Sequence, residues 1–423
     1  MRSWRILRAI GTVSPSWGGP VEGLKQISRV HQRSGHRIEV VTLDSATDPW
    51  VQECELTVHP TGPRLGRYGF TKKFIPWLRE NRQSYDVVIV DGVWQYHGLG
   101  TWATLRNSLT PYFVMPHGGL DPWLNQAYPW KRLKKWLYWP WAEYRVLRDA
   151  RAVLFTCEEE RRRARRSFAL HRWNEVVTGY GTAEPPGTPA QQIGEFLNQF
   201  PHLAFKRLLL YLGRIHQNKG VDLLIQALAR VLEERHTLQG QDGPPWHLVI
   251  AGPGANPRYL ERMRSLATSR LTPSACTFTG MLEGDLKWGA LRAAELVALP
   301  SHQDSFGMVV VEAMACGTPV LVTTQVGVHH DVRRAGAGVV VPDTLPDLEA
   351  GLRTWLRIDR GERESRGRAA RTCFETQFSI AQAAQRVIDL CTSLLPAHRT
   401  SCVGVGNRPA DPGHPNRFSA PDR

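Results

Sequence analysis

The 423-residue sequence contains no apolar run long enough to span a bilayer, no C-x-x-C pair, and no third glycine completing a dinucleotide fingerprint. The first absence has a companion at the start. In MRSWRILRAIG, charges interrupt the stretch that a secretory leader needs unbroken, which predicts a cytoplasmic chain. The second absence, with seven scattered cysteines, argues against a disulfide framework or a zinc site, so the thiols are read as reduced and structural. The third sets aside a dehydrogenase reading of GPGANP (252–257). Acids are scarce too: 39 Asp and Glu face 53 Lys and Arg, a net charge of +14. Such an imbalance bears on partners and not on fold. It is also local, because 13 Lys or Arg and only 5 Asp or Glu fall between Trp123 and Trp173.

What is present is an alternation of short apolar runs with helical patterns. RILRAIG (5–11), HRIEVVTLD (36–44), YDVVIVDG (85–92), YFVMPHG (112–118) and ARAVLFTC (150–157) read as buried strands, each leading into a helix or loop. Leu24, Ile27 and Val30 recur at helical spacing and Gly35 can close that helix; Thr156 is the expected N-cap of EEERRRARR. The rhythm breaks at GTAEPPGTPA (181–190) and resumes with RLLLYLGRI, WHLVIAGPG, CTFTGML, ELVALPS and PVLVT. The expected fold class is therefore α/β, with a first unit over 1–185, a second over 186–370, a C-terminal helix over 371–395 and a disordered, proline-bearing tail over 396–423. Ligands of open parallel sheets lie beyond the carboxyl ends of the strands, so the loops after each strand are where chemistry is expected.

Four such loops stand out. LPSHQDSFGMVVVEAMACGTPVLVT (299–323) places Asp304 before a helix and Glu312 within it, next to the N–H groups of Phe306, Gly307 and Met308, which suits phosphate and sugar hydroxyls. The plainer reading is a capping Asp304 or Ser305 and a solvated Glu312. GRIHQNKG (213–220) sets Arg214 and Lys219 about a turn, where they suit a diphosphate or act as surface charge; it lacks the G-K-[ST] of a Walker loop. SWGGPVEG (16–23) offers Gly18 and Gly19 for close backbone approach or simply for a turn. PHGGLDPW (116–123) puts His117 and Asp121 at the same rim, His117 being either a structural histidine or an orienting group.

In this order the four segments resemble the GT-B glycosyltransferases, specifically the large retaining family 4, over roughly residues 5 to 395. The resemblance implies two Rossmann-like domains with a cleft between them, and transfer of a hexose from a nucleotide-diphosphate sugar to a lipid-linked or polysaccharide acceptor with retention. Arg214 and Lys219 would hold the diphosphate, Glu312 the ribose, and Phe306, Gly307 and Met308 phosphate and sugar. His117 and Asp304 would flank the transferred sugar, with Gly18 and Gly19 near the phosphates. No cofactor beyond the sugar nucleotide is implied, and no metal, in keeping with the absence of Asp-x-Asp. One departure is the first acid, Asp304, where the family usually has Glu; another is VVTGYGT, where a simpler turn is usual.

The basic region 123–173 admits two readings. Leu133, Trp136, Leu137, Pro140, Trp141 and Tyr144 form a helical stripe, with Lys131, Arg132, Lys134 and Lys135 off it. The stripe either packs into its own domain or meets an anionic membrane surface at the inner leaflet, where a lipid-linked acceptor would wait. A non-catalytic sugar-nucleotide binder and a nucleic-acid binder using the five tryptophans of 123–141 are the alternatives in function, with no nucleic acid expected.

Overall fold

The computed structural model describes residues 2–122, 129–238 and 244–395. The expected tail at 396–423 lies outside the described residues. Seven strands form the first sheet: β1 (Arg5–Ile10), β2 (Arg37–Thr42), β3 (Thr57–Pro60), β4 (Val87–Asp91), β5 (Tyr112–Met115), β6 (Ala152–Phe155) and β7 (Glu175–Val177). Six form the second: β8 (Arg207–Leu212), β9 (Trp246–Ala251), β10 (Cys276–Gly280), β11 (Leu296–Leu299), β12 (Val320–Thr323) and β13 (Gly338–Val341). Every pairing in both sheets is parallel. This is why the strands read as continuous apolar runs: helices cover both faces, and β4, β5, β6, β11 and β12 are buried at every residue.

The strand orders are β3-β2-β1-β4-β5-β6-β7 and β10-β9-β8-β11-β12-β13. Each sheet reverses its winding at one place, β1/β4 in the first and β8/β11 in the second. Loops on either side of such a point diverge and leave a crevice at the strands' carboxyl ends. These are two Rossmann-like α/β units, the GT-B architecture.

The chain does not end in the second unit. Helix Arg360–Cys373 passes through a π-helical turn, Phe374–Phe378, into helix Ile380–Leu394. Val387, Ile388 and Cys391 of that last helix are buried with Trp4, Ile38 and Met115 of the first unit. His31 on helix Gly19–Arg33 bonds the Ala384 carbonyl at 2.9 Å, and burial lowers its pKa to about 4, so it is held neutral.

One capping expectation is corrected. The helix Glu158–Ala164 is capped by Cys157, whose Sγ accepts the Glu160 N–H; Thr156 instead receives Glu160, its N–H and hydroxyl both donating to Oε2 at 2.7 and 2.6 Å. The Glu160 side chain reaches back past the cap because its other oxygen accepts the Gly118 N–H at 2.6 Å, tying this helix to the loop after β5.

Candidate active site between the two sheets

The second sheet supplies the cationic wall. β8 runs out at Leu212, Arg214 follows with its side chain exposed, and a 3-10 turn, Gln217–Lys219, brings Lys219 back toward β11. Gly220 makes that return possible: at φ 66° its missing Cβ would stand 2.0 Å from the Pro300 carbonyl oxygen. Lys219 Nζ then lies 2.7 Å from Asp304 Oδ2.

Asp304 is fixed on all sides. Its N–H bonds Gln325 O at 3.1 Å, its carbonyl accepts Gly327 N–H at 3.0 Å, and its Oδ1 accepts the Phe306 N–H at 3.3 Å. The expectation of three free N–H groups is corrected accordingly, since Phe306 is already engaged. Gly307 and Met308 have no acceptor for theirs among the described residues, as the first helical positions of Met308–Ala315 require. The helix is capped by Gly307, in the left-handed region, and by no side chain, so neither Asp304 nor Ser305 serves as its cap.

Glu312 is not a solvated helix residue. Its side chain is 12% exposed and its Oε1 accepts from Lys287 Nζ at 2.9 Å. Each acid of the pair is thus matched to its own lysine; Lys287, one of three charged residues in GDLKWGALRA, offers no sequence signal without its partner.

The first sheet supplies the opposite wall. Gly18, at φ 75°, caps helix Gly19–Arg33, and Gly19 faces Met308, whose Cγ lies 3.8 Å from where a Cβ would stand. His117 has φ 49°, and its Nε2 donates to Asp91 Oδ1 at 3.0 Å. Gly118 beside it presses on the second unit: an added Cβ would stand 1.8 Å from Ser305 Oγ. The loop after β5 therefore abuts the Asp304 loop directly.

Asp91 itself is fully buried at the end of β4 and pairs with Arg8 of β1, whose Nε lies 2.7 Å from Oδ2. Burial alone would raise the Asp91 carboxyl; the Arg8 guanidinium and the His117 contact outweigh it and hold the group below its ordinary range. The carboxylate in turn fixes which His117 nitrogen carries the proton. The sequence does not link Arg8 and Asp91, because nothing local ties two charges in different strands together. The available signal is an arginine, Arg8, inside the buried run of RILRAI and an acid closing VVIVD.

Tyr180, from the VVTGYGT departure, closes the wall. It is 3% exposed, its ring packs edge-on against His117 and Phe306, and its hydroxyl donates to Gly19 O at 3.2 Å. One side chain thus touches three of the four loops.

The basic region departs from one of its two readings. In helix Pro129–Tyr138 and the π-helical turn Trp139–Glu143, Leu133, Trp136, Leu137 and Trp141 are 55–71% exposed, and Tyr144 alone of the stripe is buried. The segment packs instead by Tyr138, Trp139, Ala142 and Glu143: Trp139 stacks on Phe168 and the Tyr138 hydroxyl lies 2.6 Å from that of Tyr68. The inward face lies two positions on from the expected stripe, and it already does so in the helix before the π-helical turn. Lys135 lies over the Trp94 ring, 4.6 Å from its centre, and not on a solvated face. Residues 123–128 lie outside the described residues.

Among the described residues no helix is long and apolar enough to cross a membrane, and Cys54, Cys157, Cys276, Cys316, Cys373 and Cys391 are free thiols.

Comparison with known proteins gives a consistent picture. Residues 18–181 match the glycosyl transferase 4-like domain and residues 195–372 match glycosyl transferases group 1. The chain is 33% identical over 160 residues to the D-inositol 3-phosphate glycosyltransferase of Jonesia denitrificans, covering 38% of this chain and 36% of that one. It is 35% identical over 215 residues to the Kribbella flavida protein of the same name, covering 47% and 49%. The matches span about a third to a half of these relatives' length. In structure it is similar to sucrose-phosphate synthase from Thermosynechococcus elongatus (TM-score 0.74, 20% identity, 93% of this chain and 100% of that one). It is also similar to Anabaena HepE in complex with UDP-glucose (TM-score 0.71, 17% identity, 92% and 100%).

Proposed function

Because this chain belongs to the group 1 glycosyltransferases and has the GT-B fold, we propose that it transfers a hexose from a nucleotide-diphosphate sugar to a lipid-linked or glycan acceptor, with retention and without a metal ion. The observation that carries this reading is the meeting of Lys219 and Asp304 at the switch point of one sheet with His117 and Gly19 set across from them at the other. A diphosphate reaching Lys219 competes with Asp304 for the ammonium. The carboxylate so released is free to accept from a sugar hydroxyl, while Arg214 and the N–H groups of Gly307 and Met308 meet phosphate oxygens.

In the step itself the bond from the anomeric carbon to the leaving phosphate oxygen breaks, and the acceptor oxygen bonds to that carbon from the same face. The departing diphosphate takes the acceptor's proton. Arg214 and Lys219 act on the negative charge that grows on the leaving group, which is where such contacts contribute most. Glu312 accepts from the ribose hydroxyls, and Lys287 then lies beside the nucleotide. HepE, a structural relative, is recorded with UDP-glucose, which makes a uridine diphosphate hexose the first donor to try.

For the acceptor, the exposed Leu133, Trp136, Leu137 and Trp141 favour the membrane-surface reading of the basic region. Apolar side chains at the water boundary beside lysines are what an interfacial helix presents to anionic lipid. The protein would work in the cytoplasm, peripheral on the inner face of the membrane.

The deciding experiment is a thermal-shift panel of UDP-, GDP- and ADP-hexoses with EDTA present, followed by transfer assays with the donor that binds. A donor at a hundred times its dissociation constant should stabilise by about 2.7 kcal/mol. NMR of the product should show the donor's anomeric configuration. Binding without transfer to any lipid-linked or glycan acceptor would leave a non-catalytic relative, and activity restored only by Mg²⁺ or Mn²⁺ would remove the metal-free mechanism.

A further inference from the structure

A separate cavity of about 520 Å³ opens between the two units, where helix Glu158–Ala164 and the residues after it face helix His329–Ala335. Its cationic lining comes from both sides: Arg162, Arg163 and Arg166 from the first unit, His330 and Arg333 from the second.

The pairing of these arginines is uneven. Arg161 pairs with Glu158 at 2.7 Å, Arg165 with Glu175 at 2.6 Å and Arg334 with Asp331 at 2.5 Å, all outside the cavity lining. Inside, Arg163 is consumed by Glu159 at 2.8 Å, Asp121 at 3.3 Å and the carbonyls of Gln325 and Thr324. Arg162 is shared between Glu159 at 3.2 Å and His330 Nε2 at 3.0 Å. Glu159 Oε1 and Asp121 Oδ2 therefore already accept from Arg163, while Glu159 Oε2 is ion-paired with Arg162 without a hydrogen bond. Arg166 and Arg333 have no side-chain partner among the described residues, and these two, one from each unit, line the same space.

Glu159, His329 and His330 place three potential metal-ligand atoms within 4.8 Å of one another. A cation is the wrong guest. Glu159 is bound by two guanidiniums, and Arg162, which can only donate, uses the His330 Nε2 lone pair that a metal would need. Four arginines around the space favour an anion.

We propose that this cavity is a second anion subsite that takes a phosphate-class group between Arg166 and Arg333, separate from the diphosphate grip of Arg214 and Lys219. Arg166 and Arg333, one from each unit, can each donate to a different oxygen of such a group. The site also communicates with the donor loop. Gln303, adjacent to Asp304, donates to Asp121 Oδ2 at 3.4 Å, and Arg163 bonds that same oxygen. An anion drawing the two helices together acts on the loop that holds Asp304, so anion and donor should each bind more tightly in the presence of the other.

The test uses the full chain with UDP at saturation, so that the diphosphate grip is filled. Inorganic phosphate and a hexose 6-phosphate are titrated by calorimetry and thermal shift. Saturable binding should be seen, weakened about tenfold or more in Arg166→Ala/Arg333→Ala as charge-assisted bonds are lost, with UDP affinity within about twofold of wild type when no phosphate is added. Arg214→Ala should retain phosphate binding while losing UDP. Tighter binding of the ester would place the phosphate on a larger molecule, and equal binding would make free phosphate the ligand. No saturable binding, or binding unchanged in the double variant, would overturn the proposal. Should UDP fail to bind at all, the donor reading falls, but the titration of Arg214→Ala without UDP still decides this cavity.

Discussion

Lys219 Nζ and Asp304 Oδ2 are 2.7 Å apart in the cleft, with side chains only 15% and 20% exposed. In the proposed donor site this pair joins the cation assigned to the diphosphate and the acid assigned to the sugar in one contact, so the two residues should fail together. Lys219→Ala and Asp304→Ala are each expected to lower turnover about 100-fold or more with the fold retained. Asp304 also accepts the Phe306 N–H while its backbone is bonded to Gln325 and Gly327, so the loop fits the shorter acid. Asp304→Glu, despite restoring the usual family residue, should lower turnover about tenfold or more, because displacements of about 1 Å are costly in catalysis. A rise in activity would mean the loop is a weakened version of the family pattern.

Glu312 should report on the nucleotide and not on the sugar. Glu312→Gln would remove the charge-assisted bonds proposed to the ribose and release Lys287, whose Nζ is 2.9 Å away. The dissociation constant for the nucleoside diphosphate should rise about tenfold, with a smaller change in turnover at saturating donor. Calorimetric titration with the free nucleotide checks it, and unchanged affinity would remove Glu312 from the donor site.

His117 and Asp91 separate function from stability. His117→Ala should fold and lose turnover, since the ring is at the cleft. Asp91→Asn leaves Arg8, which is 1% exposed, without its counter-charge, and should cost about 3–5 kcal/mol in urea unfolding. The depressed Asp91 carboxyl stabilises the fold above the range where an ordinary aspartate titrates, and that stabilisation is lost as pH falls through its lowered folded value. Equal stability of the two variants would contradict this division.

Glu143 is buried within the 129–148 segment, and neither carboxylate oxygen has a hydrogen bond of good geometry among the described residues. Burial pushes its carboxyl up to about 8, only partly offset by the nearby Trp94 backbone and the charge of Lys135. The native state therefore holds a proton that the unfolded chain releases near pH 4.5, and stability should fall as pH rises from there to about 8. Glu143→Gln should flatten that slope and raise the melting temperature at pH 9. A wild-type pH profile in the variant would show that Glu143 is charged and compensated.

The exposed apolar residues should matter for lipid. The protein should pellet with vesicles containing anionic lipid, less so at high salt, and Trp136→Ala/Trp141→Ala should pellet about tenfold less. Lys134→Glu should weaken binding and reduce its dependence on salt, since one of the screened attractions is removed. Pelleting indifferent to all three substitutions would place the lipid contact elsewhere.

The sequence by itself determined the parallel α/β character, because strands covered on both faces must be apolar throughout, and VVIVD, LVAL and VLVT have no other reading as strands. It also determined which loops carry cations, acids and glycines, since these follow the strand ends directly. Tertiary structure alone decided the partnerships: Lys219 is 85 positions from Asp304, Lys287 is 25 from Glu312, and Arg8 is 83 from Asp91. No local pattern ties residues so far apart, because the sheet order that brings β1 beside β4 and β8 beside β11 is fixed by packing of whole elements. The same holds for the 129–148 segment. Its helical periodicity predicted an apolar stripe, but packing against Trp94 and Phe168 set Trp139 inward and left Trp136 and Trp141 in water.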